Sequence, residues 1–322
     1  MTLRVDKLSK RIGDKWALRD VSFDAVAGEI FGVFGGTGSG KTSLLQVIAG
    51  NEKSNGGVIS IGGRDVGSLP ARDRGIFLAG ERPGSVWSKF THGNGRPGSS
   101  GEARIATFEE ALTRSESVLL FDEPFAGVDD IQKERLAKKL CDLASDGRTI
   151  VYTSTDFEQI AGVCDRLVVL VNGEAIQTGW AQQIYENPES VAVARIVGRN
   201  NLFSARRLTS TNADLPEFQT IDGGHRLFAQ HTEKRNLGAI NRNVTLAIRP
   251  EQVSISFGAS FPEDNLIKAE VAGIKYLGET TIVELDATGL RLEARVFRIV
   301  GLNVGEECMI GMPPHRIQVL KD

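Results

Sequence analysis

The sequence predicts an α/β fold for residues 1–198 and a small all-β domain for residues 199–322. In the first part, short apolar runs alternate with amphipathic stretches at helical spacing, as in Val118–Phe121 followed by 131–143. Such alternation is typical of a parallel sheet with helices on its faces. After Gly198 the pattern changes to short β-compatible runs separated by turns, which indicates a small barrel.

The strongest local signal is a glycine-rich loop between a predicted strand and a predicted helix. The apolar run Ile30–Phe34 precedes the loop, and Lys41–Ala49 follows it as a helix closed by Gly50. The loop reads Gly35, Gly36, Thr37, Gly38, Ser39, Gly40, Lys41, Thr42, and Ser43 comes next. Glycines let backbone N–H groups surround phosphate oxygens, and the helix adds the positive end of its dipole. This order predicts a nucleoside triphosphate site.

Two adjacent carboxylates form the second signal. Asp122 and Glu123 directly follow the buried run Val118–Phe121, and ligands of open α/β sheets lie at such strand ends. We expect Lys41 to reach the β- and γ-phosphates, and the Thr42 hydroxyl to ligate Mg²⁺. Asp122 is then placed to hold the same Mg²⁺, and Glu123 to polarise a water for attack on the γ-phosphate.

Composition narrows the class of protein. The 322 residues suffice for two domains, and the net charge of −3 gives no support for a nucleic-acid partner. No uncharged apolar run approaches the ~18 residues needed to span a bilayer, and the N-terminus lacks the apolar core of a signal peptide. The three cysteines lie far apart and are odd in number, which favours a reducing compartment over a disulfide framework or a metal site.

With these motifs the chain resembles the ATP-binding subunits of ABC transporters, specifically importer ATPases with a C-terminal TOBE-type domain, the group that serves sugars, polyamines, iron and similar solutes. Further stretches carry the resemblance along most of the chain: 125–129 (the D-loop), 165–167, 172–174, Gly179, 184–188, 249–251 and 276–278. The resemblance implies a P-loop NTPase core with an antiparallel β subdomain and a helical subdomain, followed by an OB-like TOBE domain.

The resemblance also implies a function. The chain would be an ATP-binding and ATP-hydrolysing energy-coupling subunit of an importer, with ATP and Mg²⁺ as ligands. It would form a homo- or heterodimer with a second ATPase subunit, in which Asp129 touches the partner. The dimer would act on an integral-membrane permease, with a solute-binding protein as an indirect partner. Its expected location is cytoplasmic, peripheral on the inner face of the cell membrane.

Two departures from the family pattern affect nucleotide contacts. Ile12 stands where family members stack adenine on an aromatic ring; nearby Trp16 is a possible substitute, although a core or surface role for it is at least as well supported. The best match to the signature motif is the stretch 98–102, in which Ser99 could donate to a γ-phosphate and Gly101 is retained. A solvated Gly/Ser loop is an equally good interpretation of this stretch.

Two further departures affect hydrolysis and coupling. Ala79 or Gly80 stands in place of the Q-loop glutamine, and the helical segment that follows is shorter than the family's. Thr155 stands in place of the switch histidine; it can hydrogen-bond a phosphate but cannot share a charge with it.

We therefore expect intact MgATP binding with slow or conditional hydrolysis. The alternative is a catalytically impaired regulatory subunit that pairs with a competent ATPase. A small-molecule P-loop kinase is disfavoured, because it would have no use for a TOBE-like region.

Overall fold

The computed structural model describes residues 2–79, 100–210, 215–229, 237, 239–257, 265–297 and 301–320, with the backbone alone for 100–104. The chain divides into two compact units, Met1–Glu186 and Asn187–Asp322. The units divide between residues 186 and 187. The boundary at residue 199, expected from the sequence pattern, stays a prediction.

The first unit is an α/β structure with two sheets. In chain order its strands are β1 (Leu3–Ile12), β2 (Lys15–Ala25), β3 (Ile30–Phe34), β4 (Gly56–Ile61), β5 (Arg64–Asp65), β6 (Ile76–Ala79), β7 (Val118–Phe121), β8 (Thr149–Ser154), β9 (Arg166–Val171) and β10 (Glu174–Trp180). One sheet has the order β2-β1-β4-β5, and the other has the order β10-β9-β3-β8-β7-β6. The expected α/β core with an antiparallel β subdomain is thereby confirmed.

The strand types follow from their burial. Every residue of β3, β7 and β8 is buried, as expected for parallel strands covered on both faces. Alternating apolar and polar residues, as in Val21, Phe23 and Ala25, predict antiparallel strands over residues 2–34. This prediction holds for β1 with β2 but is wrong for β3, which pairs in parallel with β8 and β9.

Asn172 and Gly173 between two apolar runs predict a β-hairpin with a type I′ turn. The structure confirms the hairpin: β9 and β10 are joined by Asn172 (φ 50°) and Gly173 (φ 82°), the positive φ pair of such a turn.

Helices connect these strands. They are α1 (Lys41–Ala49), α2 (Ser100–Leu112), α3 (Asp130–Ser145), α4 (Phe157–Ala161) and α5 (Ala181–Glu186). Glycine, proline, serine and charged residues dominate the stretch 80–101, which predicts an extended loop with weak helical content. Of this stretch the structure describes only Ser100 and Gly101, and both are helical, because α2 begins at Ser100. None of the helices within the described ranges is long and apolar enough to cross a membrane.

The second unit is mainly β. It contains α6 (Val191–Ile196), β11 (Asn201–Arg207), β12 (Glu217–Thr220), β13 (Arg226–Phe228), β14 (Asn243–Ile248), β15 (Ser254–Ser256), β16 (Asn265–Tyr276), β17 (Thr281–Ala287), β18 (Leu290–Val296), β19 (Glu307–Met312) and β20 (Gln318–Leu320). Two five-stranded sheets form, in the orders β13-β12-β11-β14-β20 and β15-β19-β16-β17-β18. They share one apolar core, which includes Phe203, Leu246, Val271 and Ile310. The predicted all-β class is confirmed.

Candidate nucleotide site

The glycine-rich loop joins β3 to α1 and is held tightly against its surroundings. A Cβ at Gly35 would lie 2.4 Å from the Leu170 carbonyl oxygen and 2.5 Å from Ser39 Oγ. At Gly40, φ is 107° and a Cβ would lie 2.6 Å from the Ala17 carbonyl oxygen. Only glycine combines that backbone conformation with so close an approach. The loop path therefore depends on the glycines that the sequence singled out.

The amino end of α1 is open to an anion. Gly40 precedes the helix and supplies no side-chain cap, so the first N–H groups of α1 lack the partner that a capping side chain would give. Within the loop, Ser39 Oγ is buried without a hydrogen-bond partner. Free helix N–H groups and an orphaned hydroxyl fit the oxygens of a phosphate group.

Lys41 links the loop to the carboxylate pair. Its side chain is 5% exposed, and Nζ donates to the carbonyl oxygens of Gly35 (2.8 Å) and Gly36 (3.1 Å). The same Nζ lies 3.3 Å from Glu123 Oε1. The structure thus brings together two residues that the sequence placed in separate motifs.

Thr153 fixes the turn that carries the two carboxylates. Glu123 has a φ of 45°, and its backbone N–H donates to Thr153 Oγ1 at 2.9 Å. Thr153 Oγ1 in turn donates to Asp122 Oδ1 at 2.8 Å. The sequence motifs do not point to Thr153, because its place depends on strand register. Phe121 pairs with Tyr152, so the next residue of β8 lies beside Asp122.

Thr155, the residue at the switch-histidine position, lies on the exposed side of the same group. Its Oγ1 is 3.5 Å from Glu123 Oε2, the long end of the hydrogen-bonding range. The structure therefore places Thr155 beside the expected catalytic carboxylate, with a weak contact.

A cavity of about 460 Å³ opens at this place. Among the predicted site residues, it is lined by Ile12, Thr37, Gly38, Gly40, Lys41, Thr42, Ser43 and Glu123. Trp16 lines it as well, 39% exposed, with the Arg11 guanidinium 4.7 Å from its ring centroid. One cavity therefore joins the phosphate loop, the carboxylate and an aromatic ring.

Other predicted residues stand apart from the cavity lining. Asp122 precedes the lining residue Glu123 in the chain, and its backbone N–H donates to the Ala79 carbonyl oxygen at 3.1 Å. The Asp129 carboxylate accepts from the Gln132 N–H at 3.0 Å and so caps α3. Gly101 is part of α2, so the solvated-loop interpretation of 98–102 does not hold for it, and its contact with a nucleotide stays a prediction. Ser99 and Gly80 lie outside the described residues.

Similar proteins cover most of the chain. The sulfoquinovosyl glycerol transport ATP-binding protein SmoE of Agrobacterium fabrum is 27% identical over 349 aligned positions, 97% of this chain and 95% of the relative. The spermidine/putrescine import ATP-binding protein PotA of Nitrosomonas europaea is 27% identical over 331 positions, 91% and 90% respectively. The sulfate/thiosulfate import ATP-binding protein CysA of Bacillus cereus is 26% identical over 375 positions, 99% and 98%.

Residues 18–84 match the family model described as ABC transporter, and residues 246–320 match the TOBE domain model. The chain is thus similar, over most of its length, to ATP-binding proteins of ABC transporters. Two solved ATP-binding cassettes of an ABC transporter, one in its ADP conformation, superpose with a TM-score of 0.52 at 20% and 21% identity. They cover 61% and 62% of this chain and 98% and 100% of their own chains, and support the fold.

The comparisons also bear on the alternative function. These relatives are all named as transport or import ATP-binding proteins, and nothing in the comparisons supports the alternative of a catalytically impaired regulatory subunit.

Proposed function

We propose that MgATP binds in the cavity between the glycine-rich loop and Glu123, and that its hydrolysis supplies energy for solute import. The observation that carries this proposal is the convergence of Lys41, Thr42 and Glu123 on one cavity at the uncapped amino end of α1. A cation, a hydroxyl and a carboxylate around a helix N-terminus are the groups that phosphoryl transfer to water requires.

Each group has a separate role. The loop N–H groups of Gly36, Thr37, Gly38, Ser39, Gly40, Lys41, Thr42 and Ser43, with the Lys41 ammonium, bind the phosphates. The Thr42 hydroxyl and the Asp122 carboxylate would hold Mg²⁺, which when bound would supply positive charge to offset that of the phosphates. Glu123 orients the attacking water and accepts its proton.

Lys41 and Glu123 must separate for this chemistry. In the structure their side chains form an ion pair at 3.3 Å, which occupies both groups. Phosphate oxygens compete for Lys41, and the released Glu123 carboxylate becomes available to water. Thr155 adds a neutral hydroxyl beside Glu123 but no charge, so we expect turnover to be slow or to depend on a partner.

The nucleotide base lies at the Ile12 side of the cavity. Ile12 is 56% exposed there, and offers apolar contact without ring stacking. Trp16 supplies the aromatic face that Ile12 lacks.

The assembly follows from the relatives, which are named as import or transport ATP-binding proteins. We infer that two ATPase subunits, identical or different, enclose ATP, with Ser99, Gly101 and Asp129 facing the partner. The dimer works on a membrane permease at the inner face of the cell membrane, and a solute-binding protein acts upstream.

Light scattering tests the dimer. A Glu123→Gln variant retains ATP without cleaving it, so we expect its mass to double on addition of ATP, whereas a Lys41→Ala, Glu123→Gln double variant stays at its starting mass. An unchanged mass for the single variant at saturating ATP would contradict self-association and favour a different ATPase subunit as partner.

A titration tests the nucleotide site. Calorimetry of Lys41→Ala with ATP should show affinity reduced by about 10-fold or more, since a charge-assisted contact to phosphate is lost. Lys133→Ala is the control, because Lys133 pairs with Asp130 on α3 and does not line the cavity. Equal affinities for the wild type and Lys41→Ala would refute the proposed site.

A further inference from the structure

Thr153 is a polar residue in a fully buried strand. β8 is buried along its whole length, and Thr153 has no exposed surface. A hydroxyl removed from water needs hydrogen bonds to offset its desolvation. The partners that Thr153 uses lie on the neighbouring β7 segment, at the point where the chain leaves the sheet.

Both hydrogen-bonding functions of this hydroxyl are directed at the carboxylate pair. Its proton goes to Asp122 Oδ1 at 2.8 Å, and its oxygen accepts from the Glu123 N–H at 2.9 Å. One oxygen therefore sets the rotation of the Asp122 carboxylate and holds the Glu123 backbone at its φ of 45°.

The adjacent hydroxyl serves a different group. Ser154 Oγ donates to Gln159 Oε1 at 3.0 Å and accepts from the Asp156 N–H at 3.0 Å. Those contacts organise the start of α4 and do not reach Asp122 or Glu123. The two consecutive hydroxyls of β8 thus have separable roles, and that of Thr153 concerns the site.

We propose that Thr153 is a positioning residue, which orients Asp122 toward Mg²⁺ and Glu123 toward the attacking water. The inference rests on the proposed function, because it concerns the same two carboxylates. Under this proposal a buried strand residue, Thr153, helps to control the rate of hydrolysis. The chain has Thr155 at the switch-histidine position.

The test uses three variants of the full chain. Thr153→Val keeps the shape and removes the hydroxyl, and Thr153→Ser restores it. Thr149→Val is the matched control, since Thr149 is equally buried at the opposite end of the same strand. The readouts are steady-state ATP hydrolysis and calorimetric ATP binding, each across a range of Mg²⁺ concentrations.

We expect Thr153→Val to bind ATP without Mg²⁺ as the wild type does. Its half-saturating Mg²⁺ concentration should rise about 10-fold and kcat should fall about 10-fold, the loss expected for one hydrogen bond to a charged group. KM for ATP at saturating Mg²⁺ should change less than kcat. Thr153→Ser should recover most of both losses, and Thr149→Val should keep the wild-type Mg²⁺ dependence.

The outcomes separate this inference from the proposed function. Wild-type Mg²⁺ dependence and kcat in Thr153→Val would overturn the inference alone. If Thr149→Val shows the same losses as Thr153→Val, the effect is general destabilisation, and the inference is again overturned. If the wild type binds ATP but hydrolyses none, the Mg²⁺ dependence of binding still decides the role of Thr153. A wild type that binds no ATP would overturn both.

Discussion

At the scale of single residues, the carboxylate of the site belongs to a residue with a strained backbone, Glu123. Glu123 has a left-handed backbone conformation, which costs a non-glycine residue roughly 1 kcal/mol or more. The Thr153 hydroxyl holds its N–H and the Lys41 ammonium holds its side chain. These contacts keep the carboxylate at the mouth of the loop, where the proposed chemistry needs it.

The sequence could predict the residues of this site but not their present contacts. The motif order predicts Lys41, Thr42, Asp122 and Glu123 as site residues, because loop and strand end must meet in such a sheet; the structure brings Lys41, Thr42 and Glu123 to one cavity. The Lys41–Glu123 ion pair and the role of Thr153 depend on side-chain rotamers and on strand register. Neither of these is encoded in a local pattern.

Trp16 provides a prediction at this scale. Trp16→Ala should weaken ATP binding about 5-fold, since a stacked aromatic contact is worth roughly 1 kcal/mol. Trp180→Ala is the control, because Trp180 is also exposed and does not line the cavity. Calorimetry provides both affinities. An unchanged ATP affinity in Trp16→Ala would contradict the stacking role of Trp16 and would favour Ile12 as the residue that contacts the base.

At the scale of elements, α1 is anchored at its carboxyl end by a buried arginine. The Arg74 guanidinium donates to the carbonyl oxygens of Val47 and Ile48, both at 2.9 Å. It also donates to those of Leu69 (2.9 Å) and Gly67 (2.7 Å). Burial lowers the pKa of this guanidinium below its ordinary value, yet the charge complements the negative end of the helix dipole. Arg74 therefore holds the carboxyl end of the helix that follows the glycine-rich loop.

Loss of this anchor should destabilise the first unit. We expect Arg74→Ala to lower the free energy of unfolding by about 2–4 kcal/mol, because four carbonyl groups lose a buried donor. Urea denaturation followed by tryptophan emission measures this unit alone, since Trp16, Trp87 and Trp180 all lie within residues 1–186. Arg72→Ala, in which the lost side chain is 86% exposed, should change stability by less than about 0.5 kcal/mol. Equal effects of the two substitutions would contradict the anchor.

The sequence predicts an element well where its residues form a clear pattern and poorly where they do not. The β9–β10 hairpin was predicted from Asn172 and Gly173, because few other residue pairs adopt two positive φ values. In the second domain the β-compatible runs of the sequence begin at Val244. They do not include β11, β12 and β13, since mixed polar and apolar residues, as in Asn201–Arg207, give no clear period. Tertiary pairing in the sheet, not local propensity, selects the β conformation there.

At the scale of the whole molecule, the chain combines an α/β unit that contains the proposed nucleotide site with a β unit that contains the TOBE match. Each unit has its own apolar core, so substitutions in the site should leave the second unit folded. The sequence predicted this organisation from the change of pattern near residue 198. The solute and the partners are set by surfaces that no motif in the chain reports.

The most direct test of the central claim is steady-state ATP hydrolysis by the wild type and by Glu123→Gln, with Mg²⁺ present. The substitution keeps the side-chain shape but removes the carboxylate that would accept the proton of water. We predict measurable wild-type turnover and a loss of roughly 10²-fold or more in Glu123→Gln. A wild-type rate no greater than that of Glu123→Gln would contradict the claim that this site hydrolyses ATP through Glu123.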